Sequence, residues 1–323
     1  MQVNKLLVEH FAFKFVLLLT SLHFFTGWLF LRFASSERCR LFTRAEAPWR
    51  PILQLSIAGA GSIALLNYSL RLNSVGTYQI MKVAILPVTM ALSAIQSIAT
   101  PSQAEVGAAS LVILGTLVCT ASDVWMTLLG LIVGVLGVVS TAQYQIWQFS
   151  VQKDHGLNST QALYLMSPPQ AVLALIASIM LETNWGRALG RVSTALGNAP
   201  IDEAAAEDGS VAVASGAFGA TADDIWHHPY GMAELVALLA TCVFAVGLNY
   251  STIAVIGRTS AVTMQFVNQV KTVLTITMGL LLFPKPMSAN SLLALVAGLC
   301  LVFIGVGWYT RLKQQASAAS GSK

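Results

Sequence analysis

Nine apolar runs, each about twenty residues long, follow one another along this chain, at about 13–33, 51–71, 76–98, 104–121, 124–149, 159–182, 231–252, 259–283 and 288–310. Coiled as an α-helix, such a run matches the hydrocarbon thickness of a bilayer. In lipid the backbone polar groups must be satisfied inside a helix or a closed barrel, and the alternating ten-residue strands of a barrel do not occur here. The expected fold class is an all-α polytopic membrane protein forming a single domain over 1–323. Composition agrees, with 55% hydrophobic and 10% charged residues, where soluble domains carry about 25% charged. A net charge of +4 is too small to point to nucleic acid.

Two lysines stand well inside these runs, away from their ends. Lys271 sits near the middle of Arg258–Phe283, and Lys82 lies inside Gly76–Leu92. A charge at the bilayer centre costs about 2.5–3.5 kcal/mol on insertion scales, so such residues usually face a cavity and mark a substrate path. A membrane carboxylate would be the ordinary partner, but Glu105, Asp123, Glu182 and Glu234 all fall at or near run ends. Two buried cations without a protein anion imply that the anion is the ligand. The competing reading is that a lysine snorkels to the interface, which suits Lys82, nearer its helix start, better than Lys271.

Connections are short except at 34–50, which carries Arg38, Arg40, Arg44 and Arg50, and at 183–230, which is rich in Ala, Gly and acids and is expected to be partly disordered. Basic short loops mark the cytoplasmic side. Placing 34–50 there also places Lys153, Arg258 and the carboxyl terminus there, and puts the amino terminus on the other side.

The chain echoes itself. Leu66-Asn67-Tyr68-Ser69 ends one run and Leu248-Asn249-Tyr250-Ser251 ends another, and each is followed by a turn and a lysine-bearing helix. The loop charges give the two copies opposite orientations, with a first half over 1–150 and a second over 151–323. Inverted repeats with a site between them are the architecture of many secondary transporters.

Helical spacing gathers Tyr78 and Gln79 around Lys82, and Asn268 with the adjacent Thr272 around Lys271. Asn67 and Asn249, with Tyr68 and Tyr250, lie on the preceding helices. Lysine binds phosphate as a point charge, amides read a base or sugar edge, and tyrosines stack. For each amide alone, an interhelical hydrogen bond is an equal contender. Gly130, Gly134 and Gly137 read as close helix packing, and Pro87 and Pro168-Pro169 as kinks. Cys39, Cys119, Cys242 and Cys300 have neither metal-ligand nor disulfide spacing. No catalytic constellation, metal site or cofactor is expected, so the chain does not read as an enzyme.

The run Asn73-Ser-Val-Gly76-Thr-Tyr78-Gln79-Ile-Met-Lys82 with Pro87-Val88 resembles the fourth helix of the nucleotide-sugar transporter/triose-phosphate translocator family of the drug/metabolite transporter superfamily. Val139-Ser-Thr-Ala-Gln-Tyr-Gln145 with Gln152-Lys153, and Ser167-Pro168-Pro169-Gln170-Ala171, resemble its sixth and seventh helices, and Gly257 through Lys271-Thr272 its ninth. The Lys271-Thr272 pair is similar to the "KT" group, whose plant members carry UDP-rhamnose, UDP-galactose or UDP-xylose. Thr272 stands where triose-phosphate translocators have arginine.

The resemblance implies the drug/metabolite transporter fold and antiport of a nucleotide sugar against the nucleoside monophosphate, in a Golgi or ER membrane with the carboxyl terminus cytoplasmic. Lys82 and Lys271 would hold the phosphates, with Tyr78, Gln79 and Asn268 lining the cavity. The implied partners are the nucleotide sugar, the monophosphate and the bilayer, without nucleic acid; a homodimer stays open. The family has ten helices. Asn4-Lys5 resembles the end of its first helix and Leu19-Thr20-Ser21-Leu22-His23 the start of its second, so about nine helices are expected, with the first missing. Two alternatives remain: a carrier of another phosphorylated metabolite on the same fold, and a non-transporting truncated membrane scaffold.

Overall fold

The computed structural model describes residues 15–37, 39–120, 126–181, 231–282 and 289–321, and among these there are nine helices and no strand. They are α1 (Val16–Ala34), α2 (Trp49–Leu72), α3 (Val75–Ile95), α4 (Gln103–Thr120), α5 (Leu128–Asp154), α6 (Ser159–Leu181), α7 (Met232–Arg258), α8 (Ala261–Leu282) and α9 (Ala289–Gly321). The acidic loop 183–230 lies outside the described residues, as do residues 1–14. Seven of the helices are long and apolar enough to cross a membrane. The apolar stretch Gln103–Cys119 of α4 is shorter, and α8, the Lys271 helix, is not among the seven. The chain is an all-α polytopic membrane protein.

Helix ends differ from the hydropathy reading where polar residues extend the hydrogen-bond ladder. Leu248–Ser251 does not end its helix, because α7 continues to Arg258. Likewise α5 reaches Asp154 and α9 reaches Gly321, well past the expected 149 and 310. Apolarity ends where the bilayer ends, whereas a helix ends where backbone geometry breaks. Behind α5 that break is Gly156, at φ +59°. Pro87, Pro168 and Pro169 all lie inside continuous helices.

The closest echo is in the starts of the lysine helices. Ser74 Oγ accepts the Thr77 N–H at 3.2 Å, and Ser260 Oγ accepts the Thr263 N–H at 3.1 Å. In both caps the Ser and Thr hydroxyls also meet, at 3.1 and 3.0 Å. A Ser cap at this position satisfies one of the orphan donors of the first turn. Lys82 follows its cap by eight residues and Lys271 by eleven.

Glycines let the long helices approach. α2 packs along α5, α4 along α9, and α1 along α6. Gly130, Gly134 and Gly137 form a buried edge of α5 that receives Asn73, Ser69 and Leu66 of α2. Asn73 Oδ1 accepts the Thr127 N–H at 2.9 Å, and Ser69 Oγ donates to the Gly130 carbonyl at 2.9 Å. These contacts join the end of α2 to the start of α5. Between α4 and α9, a Cβ on Gly115 would stand 2.6 Å from the Gly298 carbonyl oxygen.

Among the described residues five apolar clusters result, of which two are the largest. One joins α1, α2, α5, α6 and α7 around Leu55, Leu163, Met166 and Ile253; the other joins α3, α4, α8 and α9 around Leu86, Val112, Phe266 and Val302. Large apolar side chains such as Phe30, Leu136, Ile176 and Phe244 face outward, as lipid requires. Buried hydroxyls such as Ser56, Thr89, Thr116 and Ser167 each donate to the carbonyl four residues back.

The meeting of α3 and α8 matters most for the site. α3 begins beside the start of α5, and its following residue Gln96 exchanges hydrogen bonds with Gln143 of α5 at 2.7 and 3.2 Å, so these two helices run the same way. α7 also runs with α5, since Gln152 Nε2 reaches the Ile253 carbonyl at 3.4 Å near both helix ends. α8 turns back after α7 and is therefore antiparallel to α3.

Candidate functional site

Lys82 lies two turns into α3, half-buried, with its Nζ 4.3 Å from the centroid of the Tyr78 ring. One helical turn separates the two residues, so the ring presents its negative face to the ammonium. Gln79 is half-buried next to Tyr78.

On α8, Lys271 is exposed and Asn268 and Thr272 are half-buried. A charge within an apolar membrane helix usually faces a cavity rather than hydrocarbon. Thr272 Oγ1 donates to the Asn268 carbonyl at 3.0 Å, which leaves its lone pairs as acceptors. The two lysines thus stand on contacting helices of opposite direction, where an anionic side chain would be the ordinary partner.

Glu105 does not serve that purpose. It forms an ion pair with Lys313 at the outer end of the bundle and a reciprocal capping box with Ser102, whose N–H it accepts at 2.9 Å. Asp123 and Glu182 lie outside the described residues, as does the side chain of Glu234.

Tyr78, Gln79 and Lys82 therefore stand on α3 and Asn268, Lys271 and Thr272 on α8, two helices that contact each other. The other candidates stand on different helices. Asn67 is half-buried on α2, which packs mainly on α5 and α6. Asn249 is half-buried and Tyr250 is 39% exposed on α7, which packs mainly on α1. Among the described residues no hydrogen bond ties these three to the lysine pair.

A set of buried amides went unread in the sequence. Gln145, Gln148 and Gln152 line one face of α5, and Gln265 and Gln269 are buried on α8. Gln265 Nε2 donates to Gln145 Oε1 across the two helices. The available signal was amides spaced three and four apart within an apolar helix.

The fold defines a polytopic helical membrane protein. No protein-family profile matches the chain. Curated homologues cover nearly all of it and are nucleotide-sugar transporters, as the resemblance implied. It is 28% identical to UDP-xylose transporter 2 of Arabidopsis thaliana, over 99% of this chain and 80% of that protein. It is 29% identical to UDP-rhamnose/UDP-galactose transporter 1 of the same organism, over 96% of this chain and 78% of that protein. These relatives are transporters, not enzymes. A solved crystal structure superposes with a TM-score of 0.60 at 16% identity, covering 92% of this chain and 89% of that one, and so shares the fold.

Proposed function

We propose that this chain is a secondary antiporter that exchanges a UDP-sugar for UMP across a Golgi or ER membrane, with its carboxyl terminus in the cytoplasm. The observation that carries the reading is that Lys82 and Lys271 stand on contacting, antiparallel helices that begin with the same Ser-x-x-Thr cap. Two ammonium groups suit a diphosphate, which spreads its charge over two phosphoryl groups. The amides, hydroxyls and the Tyr78 ring nearby supply uncharged contacts for the rest of the ligand. The UDP-sugar class comes from the relatives, which are named for UDP-xylose, UDP-rhamnose and UDP-galactose.

Residues 1–150 and 151–323 act as two halves that rock about the lysine pair, exposing it to each side in turn.

The test is reconstitution into liposomes loaded with UMP, followed by uptake of labelled UDP-xylose, UDP-galactose, UDP-rhamnose, GDP-mannose and triose phosphate. Uptake of a UDP-sugar that depends on internal UMP is expected. Uptake of triose phosphate instead would select a carrier of other phosphorylated metabolites. Silence toward every substrate would favour the scaffold.

A further inference from the structure

Gln148 is 0% exposed, and neither its Nε2 nor its Oε1 has a hydrogen-bond partner among the described residues. Its neighbours on the same face of α5 are satisfied: Gln145 accepts from Gln265, and Gln152 Nε2 donates to the carbonyls of Gln148 and Ile253 at 3.3 and 3.4 Å. A buried amide with both ends unmet costs free energy, and a hydrophobic side chain of similar size would avoid that cost. A group that carries a donor beside an acceptor would satisfy both amide atoms at once.

The position of the amide along the bundle selects which end of the ligand it meets. α5 and α8 are antiparallel and level with each other at the Gln145–Gln265 bond. From there Lys271 lies six residues in one direction and Gln148 three in the other, about 13 Å apart along the axis at 1.5 Å per residue. In a nucleotide sugar the phosphates stand between a single sugar ring on one side and ribose plus base in series on the other. The longer arm is the one that spans this distance, and it ends in a base edge with a donor beside an acceptor.

We infer that Gln148, with Gln145 and Gln265, forms the base-binding end of the substrate site, closed in this conformation by the Gln145–Gln265 bond. The inference rests on the UDP-sugar reading. When α8 moves away from α5, that bond opens and three amides face the ligand. The Gln148 side chain then pairs with the imide edge of a uracil-type base, its Oε1 accepting from the ring N–H and its Nε2 donating to the ring carbonyl.

The experiment compares binding of UMP, UDP-xylose and inorganic pyrophosphate to the detergent-purified full chain by titration calorimetry. The proteins are wild type, Gln148→Leu, Gln148→Met and Lys271→Ala, each with its melting temperature. Loss of all three ligands in Lys271→Ala with an unchanged melting temperature supports the phosphate reading; a wild type that binds no nucleotide would overturn that reading and this one with it. In either Gln148 variant, UMP and UDP-xylose are expected to weaken tenfold or more, pyrophosphate to bind as before, and the melting temperature to hold or rise. Unchanged UMP affinity in a folded variant would overturn the inference alone and mark Gln148 as an unsatisfied core amide. Weakening confined to UDP-xylose would overturn it too, by assigning the amide to the sugar. Having two replacements of different shape keeps the test decisive if one fails to fold.

Discussion

At the scale of single residues, charge is the deciding quantity. Lys271 is accessible and Lys82 is held against the Tyr78 ring at 4.3 Å. Lys271→Ala is expected to abolish UMP-dependent uptake while the protein still reaches the membrane, and preserved exchange would remove the phosphate role. Lys82→Met, which keeps the stem and deletes the charge, should lower uptake at least tenfold. Tyr78→Leu should act more weakly. The ring contributes about 0.5–2 kcal/mol to holding the ammonium, which corresponds to a rise of a few-fold or more in the apparent KM with little change in kcat. An unaltered KM would mean that the ring does not position Lys82. Lys82 and Lys271 were legible from the sequence because each interrupts an apolar run. Gln148 was not, since an amide in a helix carries no sign of whether a partner waits across the bundle.

Elements are held by caps and by close approach. Ser74→Ala and Ser260→Ala each remove a side-chain acceptor from the first turn of a lysine helix. Each should cost about 1 kcal/mol, read as a melting temperature lower by a few degrees in detergent. Gly115→Ala should cost more than a cap. Its Cβ would stand 2.6 Å from the Gly298 carbonyl oxygen and 2.8 Å from the Val302 nitrogen, and these are backbone atoms that move only if α9 moves. Overpacking of that kind costs about 1–3 kcal/mol. A variant as stable as wild type would show that the α4–α9 contact is looser than described. Glycine spacing revealed the α2–α5 edge in the sequence as small-residue packing. It did not reveal the partner, because a glycine edge fits any helix that can come close enough.

Over the whole molecule, the proposed exchange requires the α5–α8 seam to open onto the ligand held at the α3–α8 site. Val267 on α8 is exposed, whereas Gln269, two residues on, is buried. In a cysteine-free background, Val267→Cys should react with a water-soluble maleimide and be protected by UMP, while Gln269→Cys should react slowly. Equal reactivity with no protection would argue against a ligand-filled opening at this face.

The sequence by itself determined that the chain is helical and spans a membrane, since runs of bilayer length leave the backbone no other way to satisfy its polar groups. It also determined that two cations stand within those runs. Only the tertiary structure decided that the two lysine helices pack against each other, that Glu105 answers Lys313, and that Gln145 finds Gln265 while Gln148 finds no partner. Helix formation depends on neighbours three and four residues away, which the sequence displays. Pairing across the bundle depends on helix order, direction and depth, which are settled only when all the helices pack together.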